Sequence, residues 1–346
     1  DADMLLALGG ETAPQSPPYG DVRYRVTAET VRADGLRWGG RLELGAVRHD
    51  GGRGVGGAIA CPLDCPAQGL VTGLFAGPGP GAAEARADLA RAEVFFRHPY
   101  AQLRAGITDT AAALERPSAV RALRLAGADG ALADPFDRNI ADTGLSLTSP
   151  ALGVSLQSRR IAGLRAAVSY TGDADPCGLD HCRIGQGLAP DVGAVWSAAV
   201  GFDRRSRASG VRWTAYAGGE SGAIKGAAAG GYADPWTANL ALVREAGAVT
   251  LSARWLRSND GLGAGRYEAA ALGAAFEAGD WLLSAEAGSG DSAAFDTRSA
   301  TLFIGASRFV GRNGLASAGV QVTRADAGAV APSTEAALLL EAGLRF

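Results

Sequence analysis

Lysine, methionine and histidine are scarce in this chain, and each scarcity closes a route to function. Lys225 is the only lysine and Met4 the only methionine, while His49, His98 and His181 are the three histidines. Few histidines leave few candidates for a general base or a metal ligand. Aromatics make up 7% of residues. No apolar run approaches the ~18–20 residues of a membrane helix. The net charge of −3 gives no support for nucleic acid as a partner. A start at Asp1, without a signal-like segment, is what a cleaved export signal leaves, and a trimmed chain would start in the same way.

What is abundant is small and alternating. There are 50 glycines among 346 residues, and much of the 47% hydrophobic content is alanine. Period-two patterning runs from end to end. In Val249-Thr-Leu-Ser-Ala-Arg-Trp255 the apolar residues alternate with Thr250, Ser252 and Arg254. Across 192–202 the even positions Val192, Ala194, Trp196, Ala198, Val200 and Phe202 form one apolar face. Near the C-terminus Ala336, Leu338, Leu340, Ala342, Leu344 and Phe346 repeat the pattern. A transmembrane strand needs only ~9–11 residues with every second one apolar.

The connections alternate between short turns and long loops. Short turns fall at Ala33–Gly35, His98–Tyr100, Ser206–Gly210, Glu245–Gly247, Ala278–Asp280 and Gly311–Gly314. Long loops are expected near 10–20, 49–85, 109–142, 172–190, 218–234, 257–265, 288–296 and 325–332. This is the pattern of an antiparallel up-and-down barrel with periplasmic turns and extracellular loops. The count predicts about sixteen strands in one domain, 1–346. An even number lets the first strand close on the last, so no unpaired edge meets lipid. At 143–158 the apolar parity shifts across Ser149-Pro150, and a β-bulge is the expected cause. All six tryptophans share the outward parity.

The four cysteines form close pairs, Cys61/Cys65 and Cys177/Cys182, each in a loop-like stretch. Four cysteines allow three pairings. Local disulfides are preferred, with a zinc site using His181 as the sharper alternative. The acidic loops near Asp173–Asp175 and Asn259–Asp260 could hold calcium; no other cofactor is expected.

The arrangement resembles the trimeric general porins of Gram-negative bacteria, especially the alphaproteobacterial type. The likeness rests on the hairpin Val22–Val47 with Leu36-Arg-Trp-Gly-Gly-Arg-Leu-Glu-Leu-Gly45. It rests also on Leu103-Arg-Ala-Gly-Ile-Thr-Asp-Thr110 before a long third loop, on Asp142–Pro150 after it, and on terminal Phe346. The third loop carries Ala133-Asp-Pro-Phe136 where better-known members have a Pro-Glu-Phe-Gly type of sequence. The resemblance implies an outer-membrane channel for small hydrophilic solutes, a homotrimer in contact with lipid and lipopolysaccharide, and a third loop folded into the lumen against an arginine ladder. A sixteen-strand barrel is too wide for side chains to fill. Inward parity places Arg23, Arg25, Arg37, Arg41, Arg91, Arg97 and Arg104 on neighbouring strands, with Arg345 near them once the barrel closes. Asp129, Asp134 and Asp137, in the mixed-charge loop 109–142, are the expected acidic counterweight. The rival readings are a plugged or translocator-type barrel and an outer-membrane hydrolase.

Overall fold

A computed structural model of the chain describes residues 2–9, 19–33, 35–49, 68–74, 84–130, 134, 138–175, 177–178, 181–182, 190–226, 231–263, 265–311, 313–327 and 330–344. The first half of the sheet contains β1 (Ala2–Gly9), β2 (Tyr19–Val31), β3 (Arg37–His49), β4 (Glu84–Arg97), β5 (Ala101–Thr108), β6 (Ala151–Ser158) and β7 (Leu164–Asp173). A small ribbon, β8 (Cys177–Gly178) and β9 (His181–Cys182), stands apart from it. The barrel continues with β10 (Val192–Arg205), β11 (Arg212–Ile224), β12 (Trp236–Ala246), β13 (Val249–Ser258) and β14 (Tyr267–Ala278). It ends with β15 (Trp281–Ser292), β16 (Thr297–Val310), β17 (Gly314–Ala327) and β18 (Val330–Leu344). The sixteen barrel strands are antiparallel to their neighbours, and the ring closes where β1 pairs with both β18 and β2, as in Leu6↔Leu340 and Ala2↔Val22.

Alternation decides which side chains meet lipid. Leu152, Val154 and Leu156 are 75%, 46% and 47% exposed on the outer wall, while Ser155 and Gln157, on the alternate parity, are buried. Such an apolar outer band would be unstable in water and is what a hydrocarbon solvent requires. The tryptophans sort by height. Trp38, Trp213 and Trp281 sit just after short turns, whereas Trp196, Trp236 and Trp255 sit near long-loop ends. Two girdles result, at the depths where amphipathic rings are favoured. Trp255 is half-buried because its Nε1 donates to Glu268 at 2.9 Å.

Three local expectations are corrected. The parity shift at Ser149-Pro150 is not a bulge: β6 begins at Ala151, and Leu145 and Leu147 lie in the lumen-side core with Leu70, Val71 and Tyr267. The apolar face drawn across 192–202 is instead broken by a bulge between Gly193 and Trp196, where Ala194 has φ 49°. Val192 and Val195 therefore turn inward and are buried, and the outward face starts only at Trp196. Finally, strands run further than expected at the extracellular side: β11 to Ile224, β15 to Ser292 and β17 to Ala327.

Candidate functional site: the lumen and its inner loop

The described residues of 109–150 leave β5 and lie along the inner wall from β7 round to β18. Small and polar inward side chains fix this path by satisfying the loop's backbone donors, which would otherwise be buried without partners. The loop opens with α1 (Ala111–Glu115), capped by Thr110, whose hydroxyl accepts from Ala113 N at 3.3 Å. Its first free N–H groups donate to the wall: Ala111 N to Ser169 Oγ at 2.8 Å and Ala112 N to Ser197 Oγ at 2.9 Å. Further on, Ala122 N donates to Ser284 Oγ at 2.8 Å, and Arg124 N and Leu125 N both donate to Glu341 at 3.0 Å. The return limb is held by Ile140 N to Ser299 Oγ at 3.0 Å and Asp142 N to the Tyr267 hydroxyl at 3.0 Å.

Packing reinforces these bonds. Leu123, Leu125, Ala126 and Ala128 bury against Phe303, Ala337 and Leu339 of the wall. Gly288 is required here: a Cβ on it would lie 2.1 Å from the Ala128 carbonyl oxygen. Removing the side chain lets loop backbone and sheet backbone touch.

One anchor lay in a segment expected to be loop. Glu220 is on β11 and buried, and it takes both limbs of the inner loop at once. Thr110 Oγ1 and Ser146 Oγ donate to its Oε1, and Leu147 N donates to its Oε2 at 2.7 Å. Gly218-Gly219 disguised this position in the sequence by suggesting a turn, although its parity with Tyr216 is inward. Glu115 plays a similar part, accepting from Gln157 Nε2 at 2.6 Å and pairing with Arg165 at 2.7 Å.

Facing this loop, the inner wall of β2–β5 carries the arginines, but not as a bare positive field. Glu43 and Glu93 share their inward parity. Arg25 Nε lies 2.7 Å from Glu43, Arg91 Nη1 2.7 Å from it, and Arg23 Nη1 3.6 Å. Arg91 also grips Asp109 through two bonds of 2.9 Å, and Arg23 pairs with Asp21 at 3.0 Å. Arg41 and Arg104 flank Glu93 at 3.4 and 3.2 Å, and Thr108 Oγ1 donates to that carboxylate at 2.6 Å. Directly opposed unlike charges stabilise neighbouring strands, whereas a ladder of like charge would push them apart. Among the described residues, these arginines pair with Asp21, Glu43, Glu93 and Asp109. Arg25 remains 57% exposed.

Two expected wall residues sit elsewhere in height. Arg37 begins β3 and Arg97 ends β4, so both lie at the short-turn rim, bridged by Glu29 at 3.4 and 3.3 Å. Of the acidic set, Asp129 is placed differently from the expectation. It is buried inside the loop, taking Thr143 N at 2.7 Å and Thr143 Oγ1 at 2.6 Å, with Arg254 at 3.6 Å. A carboxylate so enclosed shapes the loop rather than the lumen field. Asp134 accepts from Asn139 N at 2.6 Å and Gln321 Nε2 at 3.2 Å. Asp137, Cys61, Cys65, Arg345 and Phe346 lie outside the described residues. The inward Arg165 and Arg254, on the wall behind the loop, were missed as site residues despite their parity.

Segment 68–74 of one extracellular loop meets another at Asp260. Its Oδ1 accepts from Val71 N and Thr72 N at 2.8 Å each, and its Oδ2 from Thr72 Oγ1 at 2.6 Å. These bonds engage both oxygens of a residue considered for calcium.

The sequence matches the family model for Gram-negative porins over residues 15–328. Curated proteins give no significant match. Among solved structures, a porin refined at 1.8 Å resolution is 14% identical, with a TM-score of 0.56 and 99% of each chain covered. The anion-selective porin of Comamonas acidovorans is 12% identical, with a TM-score of 0.53, covering 100% of this chain and 97% of that one. A mutant of Rh. blastica porin is 13% identical, with a TM-score of 0.53, covering 99% and 98%. At these identities the structures speak for the fold, and the family match speaks for kinship. A closed, lipid-facing barrel with a loop folded inside it, matched along most of its length, belongs to the Gram-negative porins, the diffusion channels of the outer membrane.

Proposed function

We propose that solutes pass between the inner face of β2–β5 and the inner loop, with Arg23, Arg25, Arg41, Arg91 and Arg104 lining the narrowest region and Arg37 and Arg97 the periplasmic rim. The carrying observation is the interleaving of those arginines with Glu43 and Glu93 on one wall. A wall of interleaved signs on which Arg25 stays 57% exposed supports a weak preference for anions. The channel carries small hydrophilic solutes without enzymatic chemistry. His98 packs at 5.2 Å on Tyr100 in the short turn after β4. Kinship with porins supports a homotrimer.

Single-channel recording in a planar bilayer tests the reading. Stepwise conductance with a zero-current potential displaced slightly toward anions is expected, and closures in groups of three if the trimer holds. Protein that inserts and stays silent at every voltage would overturn it, as a plugged barrel would behave. Crosslinking in mild detergent tests the trimer separately.

A further inference from the structure

On the outer wall, β11 to β16 enclose a groove of about 570 Å³. Its floor is made of small outward residues, Ala253, Ala274 and Ala285, and its rim of Leu242, Leu251, Leu272 and Leu302. Alanines on adjacent strands leave a trench because their leucine neighbours stand higher. One end of the trench is not apolar. Arg244 lies there, two residues before the end of β12, with its guanidinium 5.8 Å from the ring of Trp213. Both residues belong to the girdle near the short turns, at the periplasmic interface.

Arg244 is an outward cation beside hydrocarbon, and among the described residues its side chain has no hydrogen bond or ion pair, only the tryptophan face. Arginine at a membrane interface gains most from an oxyanion that presents two oxygens to two of its N–H groups. The phosphate of a lipid headgroup lies at that depth, and stacking on Trp213 holds the guanidinium in place. We propose that this groove is a binding site for an anionic phospholipid of the periplasmic leaflet, its phosphate on Arg244 and a stretch of acyl chain over Ala253, Ala274 and Ala285. The molecule carries its own control. Arg308 stands 5.5 Å from the Trp281 ring on the same girdle, and it does not line this groove. The inference rests on the chain being a membrane barrel, not on what crosses its lumen.

The test is native mass spectrometry of the detergent-purified protein titrated with phosphatidylglycerol. Arg244→Gln is expected to weaken binding about tenfold, the loss of one charge-assisted contact. Ala285→Leu, which fills the trench, should weaken it as well, and Arg308→Gln should leave it unchanged. Phosphatidylcholine should bind more weakly, and inorganic phosphate should not compete. Equal losses from Arg244→Gln and Arg308→Gln would show only general attraction by the girdle and would overturn the site. Competition by inorganic phosphate would overturn it, since the acyl groove would then be idle. A changed number of chains per particle in Arg244→Gln would also overturn it, making the groove a contact between copies. Channel conductance, unchanged in Arg244→Gln, keeps this outcome separate from the diffusion reading.

Discussion

Glu43 and Arg91 face each other across β3 and β4, with Glu43 Oε1 2.7 Å from Arg91 Nη1. The carboxylate is fully buried by the arginines around it, since Arg25 and Arg23 hold it from the other side. Charges of both signs on one wall cancel at distances beyond their spacing, so selectivity depends on small imbalances.

Removing Glu43 should therefore act opposite to removing its partners. Glu43→Gln leaves Arg23, Arg25 and Arg91 short of one negative charge and should move the zero-current potential in a salt gradient toward anions. Arg23→Gln, Arg25→Gln and Arg41→Gln together should move it toward cations. One unit charge at ~8 Å in water is worth ~0.5 kcal/mol, about twofold in permeability ratio. Changes at Arg159 and Arg160 should do much less, since Arg160 is engaged with Asp203 at 2.8 Å beside a short turn. Equal shifts from both sets would place the constriction elsewhere.

Glu220 should matter to the inner loop more than any other wall carboxylate, because it joins the limb at Thr110 to the limb at Ser146 and Leu147. Glu220→Ala leaves those buried donors without an acceptor, at ~1–3 kcal/mol for each group. The expected result is a noisier channel with frequent sublevels and a lowered thermal unfolding midpoint. Glu220→Gln retains an acceptor oxygen and should fall between the two. A quiet channel in Glu220→Ala would mean that apolar packing of Leu123 and Leu125 alone holds the loop.

The barrel was legible in the sequence because its two constraints are local: side chains alternate with period two, and lipid forbids polar residues on one parity. That is why the strand order and the outward tryptophans could be read directly. Bulges were less legible. The shift at Ser149-Pro150 and the break at Ala194 both change parity, and only tertiary contacts reveal that the first marks a strand start and the second a bulge. Sign alone marks out the arginine wall; that Glu43 and Glu93 stand between those arginines follows only from the strand register. Asp129 escapes the sequence for a different reason. Its burial depends on a loop pressed against Arg254 and Thr143, a contact that no nearby residue encodes.

Asp260 offers a test of how the extracellular loops are tied. Asp260→Ala removes the acceptor for Val71 N, Thr72 N and the Thr72 hydroxyl, so the two amides should exchange with solvent much faster. Asp260 has φ 55°, a conformation that asparagine tolerates better than alanine, so Asp260→Asn should retain part of the protection. The neighbouring tie is Tyr232, whose hydroxyl donates to Gln68 O at 3.0 Å and whose phenol burial pushes up in pKa. A raised pKa favours the protonated form in the folded state. Its contribution is whole below the ordinary tyrosine value of ~10 and fades only above it. Hydrogen exchange at Val71 and Thr72 should accordingly stay slow at neutral pH. Rapid exchange in the unmodified protein would contradict the latch.

The ribbon of β8 and β9 turns an open question about cysteines into a specific one. Its backbone register places Cys177 directly opposite Cys182, with Gly178 opposite His181. Directly opposed antiparallel residues have Cα atoms ~4.5–5.5 Å apart. That spacing falls within the ~4.4–6.8 Å over which a disulfide can form. A local 177–182 bridge is therefore favoured over a crossed pairing with Cys61 or Cys65, and outer-membrane proteins mature in an oxidising compartment. So short a loop removes little chain entropy, about 2 kcal/mol, and the bridge would mainly fix the ribbon at the mouth. A non-reducing proteolytic digest should yield a fragment containing both Cys177 and Cys182 that is two hydrogens lighter than its reduced form, with conductance little changed after reduction. Free thiols in that fragment, or a crosslink from it to the 61–65 segment, would refute the pairing.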